Sequence, residues 1–398
     1  MTIPARLPRF RGTLHDPRTA TVAGRLLGIA VLLCFLTGLI SHYLQEPPAL
    51  FSGHLPTRPV SGYRVTQGLH IVSGIAAVPL LLVKLWTVYP QLFQWPPVRS
   101  VAHALERLSI AVLVAGTLLE LFIGLLNTVQ WYPWPFGFRQ VHWALAWVIT
   151  GSLLIHLGVK APTIAQYWRR RARPLPVPGG AAGAAGADDT NRTAPDGSDV
   201  DADADRRALV WGLAAAVGAV TLVTAGQSVT PLKDLALLSP RDPDAGPQGL
   251  PVNRTAHAAG ISRAAVRNWR LYVGGPRPYE LTLRQLCAMP QHSVELPIAC
   301  VEGWSKSAHW EGVRIRDLLA RAGVEDGARL RIVSLETRGG YGVTEMDSAY
   351  TRDGLTLLAL RLNGQVLSPD HGYPARVIAP DRPGVLQTKW VTRLEVLA

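Results

Sequence analysis

The 398-residue sequence predicts a multidomain chain: an all-α transmembrane helical bundle, of four helices plus a fifth spanning helix, followed by an α+β domain. Three observations predict this. Five segments are apolar all the way round and reach the roughly 20 residues that a bilayer-crossing helix needs. Arginines cluster outside these segments, not within them. Beyond residue 250 the texture changes to short β-rich runs separated by turns. The net charge is +12, yet only 17% of residues are charged. The basic surplus sits where membrane topology would put it, so nucleic acid is not an expected partner. Three cysteines, Cys34, Cys287 and Cys300, exclude a disulfide-stapled fold and a four-thiolate zinc cluster.

In chain order, residues 1–20 form a tail carrying Arg6, Arg9, Arg11 and Arg18, expected to be cytoplasmic. Residues 21–165 hold four predicted spans, approximately Val22–Leu44, Thr66–Val88, Leu105–Leu126 and Val141–Lys160. Trp131, Tyr132 and Trp134 precede the fourth as an outer aromatic belt. The run YWRRRAR follows it, with Arg169, Arg170, Arg171 and Arg173, and returns the chain to the cytoplasm. Residues 166–205 are expected to be a disordered cytoplasmic linker, because Pro174–Asp205 is built of Pro, Gly, Ala and Asp without apolar periodicity. Residues 206–229 form the fifth span, Ala208–Gly226, which leaves the cytoplasm. Arg206-Arg207 ahead of this mildly hydrophobic helix resembles a Tat-type export signal, the other reading being an ordinary inside-positive stop. After a connector at 230–249, residues 250–398 form the α+β domain, on the outer face of a cell membrane whose lipid is then a partner of the chain.

Ionisable groups inside a bilayer are functional candidates. His70 opens the second span, and the fourth carries His142 and His156, 14 residues and about 21 Å apart on one face. His70 and His142 share a depth near the outer surface and could ligate one haem b iron axially. Lys84 occupies the position 14 residues after His70, so a second haem lacks that partner; His156 could pair with His103 instead, and His42 is a further candidate at the outer site. Helix count and histidine placement over residues 20–165 resemble the integral cytochrome b subunits that pass electrons to quinone. The other reading is a haemless bundle with packing histidines. Glu120 in the third span fits a quinone or proton site, or a hydrogen bond to a neighbouring helix.

The predicted strands of the last domain are WRLYVGG, VELPIACVEGW, RLRIVSLE, TLLALRLNG and YPARVIAP, with one helix, IRDLLARAGV, stopped by Gly323. Cys300 follows an apolar strand directly, and a soft thiolate at a strand end suits a transition metal, whereas a lone cysteine can also be a small buried hydrophobe. The landmarks LPVN at 250–253, CVEGWS at Cys300, GYGV with Tyr341, LALRLNGQVLSPDHGYPARVIAP and GVLQTKWVTRLEVL occur in an order that resembles the sulfite oxidase family of molybdopterin enzymes, including its sulfoxide-reductase-like branch. The resemblance runs from about Leu250 to Ala398 and implies a sulfite-oxidase-like fold and a Mo-molybdopterin cofactor. It implies Cys300 as the molybdenum ligand and Tyr341 as an active-site residue that bonds an oxo or substrate oxygen. It also implies Asn253, His371, Arg376, Gly384 and Lys389 as residues that hold the pterin and its phosphate. Those residue types suit such binding, because Arg and Lys offer charge-assisted bonds to a dianion and Gly lets backbone amides approach it.

Val301, Glu302, Gly303, Trp304 and Ser305 follow Cys300 where sulfite oxidases proper carry an arginine cluster, which favours the sulfoxide-reductase-like branch. Trp304, with His309 or Trp310, could shape the pocket or pack in the core, and Cys287 is read as a packing residue. The expected function is a membrane-bound molybdopterin oxidoreductase that acts on a small-molecule substrate and exchanges electrons with the quinone pool. The alternatives are a haemless anchor for the same enzyme and a binding protein with a degenerate molybdopterin fold.

Overall fold

The computed structural model describes residues 17–92, 98–169, 197–228 and 230–397. Arg6, Arg9, Arg11, Arg170, Arg171, Arg173 and the linker residues 174–196 lie outside the described residues. Five long helices come first: α1 (Pro17–Gln45), α2 (Gly62–Leu92), α3 (Val101–Thr128), α4 (Phe138–Arg169) and α5 (Gly197–Ala225). Each contains a stretch long and apolar enough to cross a membrane. Pro47 and Pro48 follow the end of α1, where proline cannot continue a helix. Two expectations change. The second helix starts at Gly62, so His70 lies two turns inside it, not at its opening. The fifth helix starts at Gly197, so residues 197–205 of the expected linker are helical; after Gly197 this run has neither Gly nor Pro and alternates alanine, a strong helix former.

The chain divides into two compact units. The first takes in residues up to Val31, then Ala76–Leu125 and Tyr132–Val220. Within it, Ala30, Ala77, Leu80 and Leu213 form a small buried cluster. The Lys84 ammonium donates to the Ala20 carbonyl at 2.8 Å, and Lys160 pairs with Glu106 at 2.8 Å. A carboxylate oxygen of Glu120 on α3 lies 3.1 Å from His142 Nδ1 on α4.

The second unit takes in Leu32–Ile75, Leu126–Trp131 and Thr221 onward. Its sheet portion contains α6 (Arg263–Arg267), β1 (Arg270–Val273), β2 (Tyr279–Thr282), α7 (Leu283–Cys287), β3 (His292–Ala299), β4 (Ser305–Arg314) and α8 (Ile315–Arg321). It continues with β5 (Leu330–Ser334), β6 (Val343–Met346), α9 (Ser348–Arg352), β7 (Leu357–Leu362), β8 (Gln365–Val366), β9 (Arg376–Ile378) and β10 (Val391–Val396). One sheet has the order β2-β1-β10-β5-β6; the other has β3-β4-β7-β8, with β9 paired to β7. β10 runs parallel to β1, and the remaining pairs are antiparallel. Alternation drives the first sheet: Leu330 and Ile332 are fully buried while Arg331 between them faces out. Leu271, Val273, Ile315, Leu318 and Leu394 join them in one core, and Leu296, Trp310, Leu357 and Ile378 form a second. A Thr282/Gln285 capping box starts α7, and Asp347 caps α9. All five strands and the helix expected for this domain are present; β2, β4, β6, β8, β10 and three short helices are additional.

The α1–α2 loop is sewn to the same unit by polar contacts. The Gly53 amide donates to Asp347 at 2.6 Å, Arg58 pairs with Asp353 at 2.6 Å, and Arg352 donates to the Gly53 carbonyl at 3.0 Å. Asp381, in a left-handed conformation with φ 53°, accepts from the Tyr63 amide and so caps the N-terminus of α2.

Candidate cofactor and metal site

Cys300 is the first residue after β3 and is 1% exposed. Residues 300–304 turn the chain into β4, closed by the Cys300 amide on the Trp304 carbonyl at 2.9 Å and the Gly303 amide on the Cys300 carbonyl at 3.1 Å. Burial, then the charge of Glu302, pushes the Cys300 thiol well above the ordinary range. A metal that takes this sulfur therefore displaces its proton. The Asn253 side-chain nitrogen stands 2.7 Å from the sulfur, a donor suited to a thiolate. Asn253 and Cys300, implied as neighbours by the resemblance, are thus in contact.

Two cations, Arg376 buried and Lys389 half-buried, belong to the same neighbourhood. Arg376, on β9, is 2% exposed and lies 5.1 Å over the Trp310 ring. It donates to the carbonyls of His371 (3.3 Å) and Gln387 (3.2 Å), and its Nε has no partner. Burial pulls its pKa down to about 10. Lys389 donates to the carbonyls of Arg254 (2.8 Å) and Asp370 (2.7 Å) and sits 5.0 Å over the Trp390 ring. Burial, reinforced by the Arg376 charge, brings it down to about 7, and it also interacts electrostatically with Cys300. Both cations are held by carbonyls and ring faces, with no carboxylate bonded to either among the described residues, a setting that suits an anion.

His371 is buried, and burial pulls its imidazole down to about 4, so it is neutral near pH 7. Its Nε2 is 2.8 Å from the Pro247 carbonyl, which fastens the segment leading to Asn253. At Gly384 a Cβ would lie 2.4 Å from the Ala299 carbonyl and 3.6 Å from Cys300 Cα, so glycine here admits the end of β3. Tyr341 lies in the loop between β5 and β6. Trp304 is buried and donates to Glu302 at 2.9 Å. His309 is exposed while Trp310 beside it is fully buried, as strand alternation requires, so Trp310 belongs to the core beneath Arg376 and His309 faces away. Cys287 is exposed at the end of α7, not packed inside.

Among the described residues no group of three or more His, Cys, Asp or Glu side chains comes together to hold a metal. A metal at Cys300 must bring its other ligands with it, as a pterin dithiolene does. The partnerless Arg376 Nε and the carbonyl-held Lys389 match that cofactor's phosphate in charge and in number of donors. The residues present fit the group.

The class follows from this fold and donor set: residues 258–398 match the family described as oxidoreductase molybdopterin binding domain. This region is a molybdopterin-binding oxidoreductase domain. The chain is 32% identical over 148 residues to mitochondrial sulfite oxidase of Drosophila melanogaster, covering 31% of this chain and 26% of that protein. It is 32% identical over 130 residues to an uncharacterised oxidoreductase of Bacillus subtilis, covering 32% of this chain and 64% of that one. Sulfane dehydrogenase SoxCD from Paracoccus pantotrophus aligns with a TM-score of 0.31 and 22% identity over 38% of this chain and 43% of that one. The chain thus spans less than two thirds of the length of each of these relatives.

Sequence reasoning missed several residues of this region. Glu302 is 1% exposed, accepts from Trp304 and pairs with Arg241 at 3.4 Å. Tyr63, on α2, packs beside Ala299 and interacts electrostatically with Cys300 and Tyr341. The available signal was polar residues recurring every four positions, Tyr63 and Gln67, within an apolar helix.

Proposed function

We propose that the chain is a membrane-bound molybdopterin-dependent oxidoreductase that performs two-electron oxygen-atom transfer on a small-molecule substrate. The carrying observation is the buried Cys300 sulfur with Asn253 at 2.7 Å, in electrostatic reach of a half-buried lysine that itself adjoins a buried arginine. When bound, the molybdenum cofactor supplies the redox and oxygen-transfer chemistry. Cys300 gives up its proton and ligates as a thiolate, and the Asn253 amide donates to the sulfur and moderates its charge. Arg376 and Lys389 hold the phosphate, and His371 keeps the neighbouring backbone in place as a neutral donor. Tyr341 offers its hydroxyl to a substrate oxygen. The absence of arginine in Val301–Ser305 favours a neutral acceptor such as a sulfoxide over an oxyanion. Purified full-length protein should hold molybdenum stoichiometrically with a Mo(V) EPR signal, and Cys300→Ser should remove both activity and signal. An unchanged signal in Cys300→Ser would overturn the assignment.

The helical segments are read as the electron partner that exchanges with membrane quinone. The tail is placed in the cytoplasm and the sheet domain at the exterior face of a cell membrane, by Tat export through Arg206-Arg207. Reporter fusions after Arg173 and after Ala398 should respond from opposite sides, and lysines at 206 and 207 should block export. A haem b on His70 and His142 belongs to the same reading; His70 Nδ1 lies 2.9 Å from the Cys34 carbonyl, as an oriented imidazole does. His156, in electrostatic reach of Lys84 and Lys160, is the weaker ligand candidate. Low-spin haem bands lost in His142→Ala support the outer haem; no Soret band at all means a haemless anchor.

A further inference from the structure

The turn that carries Cys300 rests on side chains from the first turns of α2 and from the segment just past α5, all within one unit. Gln67 of α2 donates its side-chain amide to the Val301 carbonyl at 3.4 Å. Ser228, just past the end of α5, donates its hydroxyl to the Gly303 carbonyl at 2.7 Å. Gly303 has φ 96°, and a Cβ there would stand 3.2 Å from Ile71 and 3.3 Å from the Ser228 hydroxyl, so the turn is pressed onto both helices. Tyr63, Gln67 and Ile71 are spaced by four residues and so share one face of α2, the face that meets residues 299–303.

Gln67 is 5% exposed, and a buried amide is costly unless both ends are bonded. Its oxygen accepts from Ser41 of α1 at 2.9 Å, and Ser41 in turn accepts from Gln45 at 3.2 Å. The bonded chain Gln45–Ser41–Gln67–Val301 therefore ends on the residue next to the metal ligand. An amide in an apolar helix persists only where it finds such partners.

We propose that Gln67, with Ser228, is a positioning residue for the Cys300 sulfur: the apolar helices set the turn that aims the metal ligand, and are more than an anchor. The inference rests on Cys300 as the ligand. Outer partners of this kind orient a ligand and tune its metal without touching the metal.

The test uses the full chain in detergent. In protein prepared without cofactor, iodoacetamide labelling of the Cys300 peptide is followed by mass spectrometry. Gln67→Leu and Ser228→Ala should each label roughly fivefold faster than wild type, the factor one lost hydrogen bond gives to local opening. The control is Ser73→Ala, a hydroxyl of α2 bonded only to its own helix at 2.6 Å, which should label at the wild-type rate. In cofactor-loaded protein, Gln67→Leu and Ser228→Ala should keep their molybdenum and shift the Mo(V) g-values. Wild-type labelling rates in both variants would overturn the proposal, whether or not molybdenum binds. Should Gln67→Leu fail to fold, Ser228→Ala, which removes one hydroxyl, decides. Faster labelling with no molybdenum in wild type would sustain the positioning role while refuting the ligand assignment.

Discussion

In the helical segments Leu32, Trp86 and Leu154 are 56%, 63% and 64% exposed, whereas in the sheet domain Leu271, Ile332, Leu357 and Trp310 are all fully buried. Among described large apolar residues beyond 239, only Val343 and Val366 are strongly exposed. Polar groups differ as well. On the helices, Thr37, Ser73, Thr117 and Thr150 turn back onto the carbonyl four residues earlier. In the domain, buried Arg376 and Arg382 and half-buried Lys389 are held on backbone carbonyls. Apolar exposure along whole helices suits a hydrocarbon solvent, in which hydroxyls must be satisfied locally. Buried cations without carboxylates suit a ligand that brings the negative charge.

The largest test of that contrast sets Trp310→Ala against Trp86→Ala. Trp310 fills the second core beneath Arg376, and its removal should cost about 3–5 kcal/mol, read as a lowered unfolding midpoint. Trp86→Ala, on an exposed helix face, should move the midpoint little in detergent; equal losses would erase the distinction. Next, Arg376→Met should lower molybdenum retention by about 100-fold while leaving the cofactor-free domain as stable as before or more so, since a poorly paired buried charge is gone. Asp381 follows. Burial raises its carboxyl to about 6 from an ordinary 3.8, so between these values the folded state holds more protons than the unfolded. Stability should therefore fall as pH rises from 4 to 6, by on the order of 2 kcal/mol, and Asp381→Asn should flatten that slope. The smallest effect belongs to the helices: Glu120→Gln, which removes the carboxylate 3.1 Å from His142 Nδ1, should cost about 0.6 kcal/mol in detergent unfolding.

The helices were legible because apolar runs of their length have few other uses in a folded chain. Their ends were not: Gly62 and Gly197 lie outside the apolar stretches, and the start of α2 is set by a cap from Asp381, far along the chain. In the domain, strands with strong apolar runs such as Leu357–Leu362 could be read, whereas Ser305–Arg314 hid among polar residues because one of its faces is exposed. Cys300, Asn253, Arg376 and Lys389 were read through the order of motifs and lie in one neighbourhood. Gly384 was read at the pterin phosphate, and its close approach to the Ala299 carbonyl is a second reason for glycine there. Gln67, Ser228 and Glu302 escaped because their importance depends on contacts between segments distant in sequence.

β10 lies between β1 and β5, in the middle of its sheet, although it follows every other element of the domain in sequence. During synthesis the ribosome delivers β1, β2, β5 and β6 before the strand that joins them exists. Two half-sheets with unpaired edges must wait together, an invitation to aggregation that a chaperone would have to cover. Lys389, two residues ahead of β10, arrives in the same late stretch, so Cys300, Asn253, Arg376 and Lys389 are together only once β10 is made. A cofactor held by these residues would then enter after that strand has taken its place, into a sheet already closed.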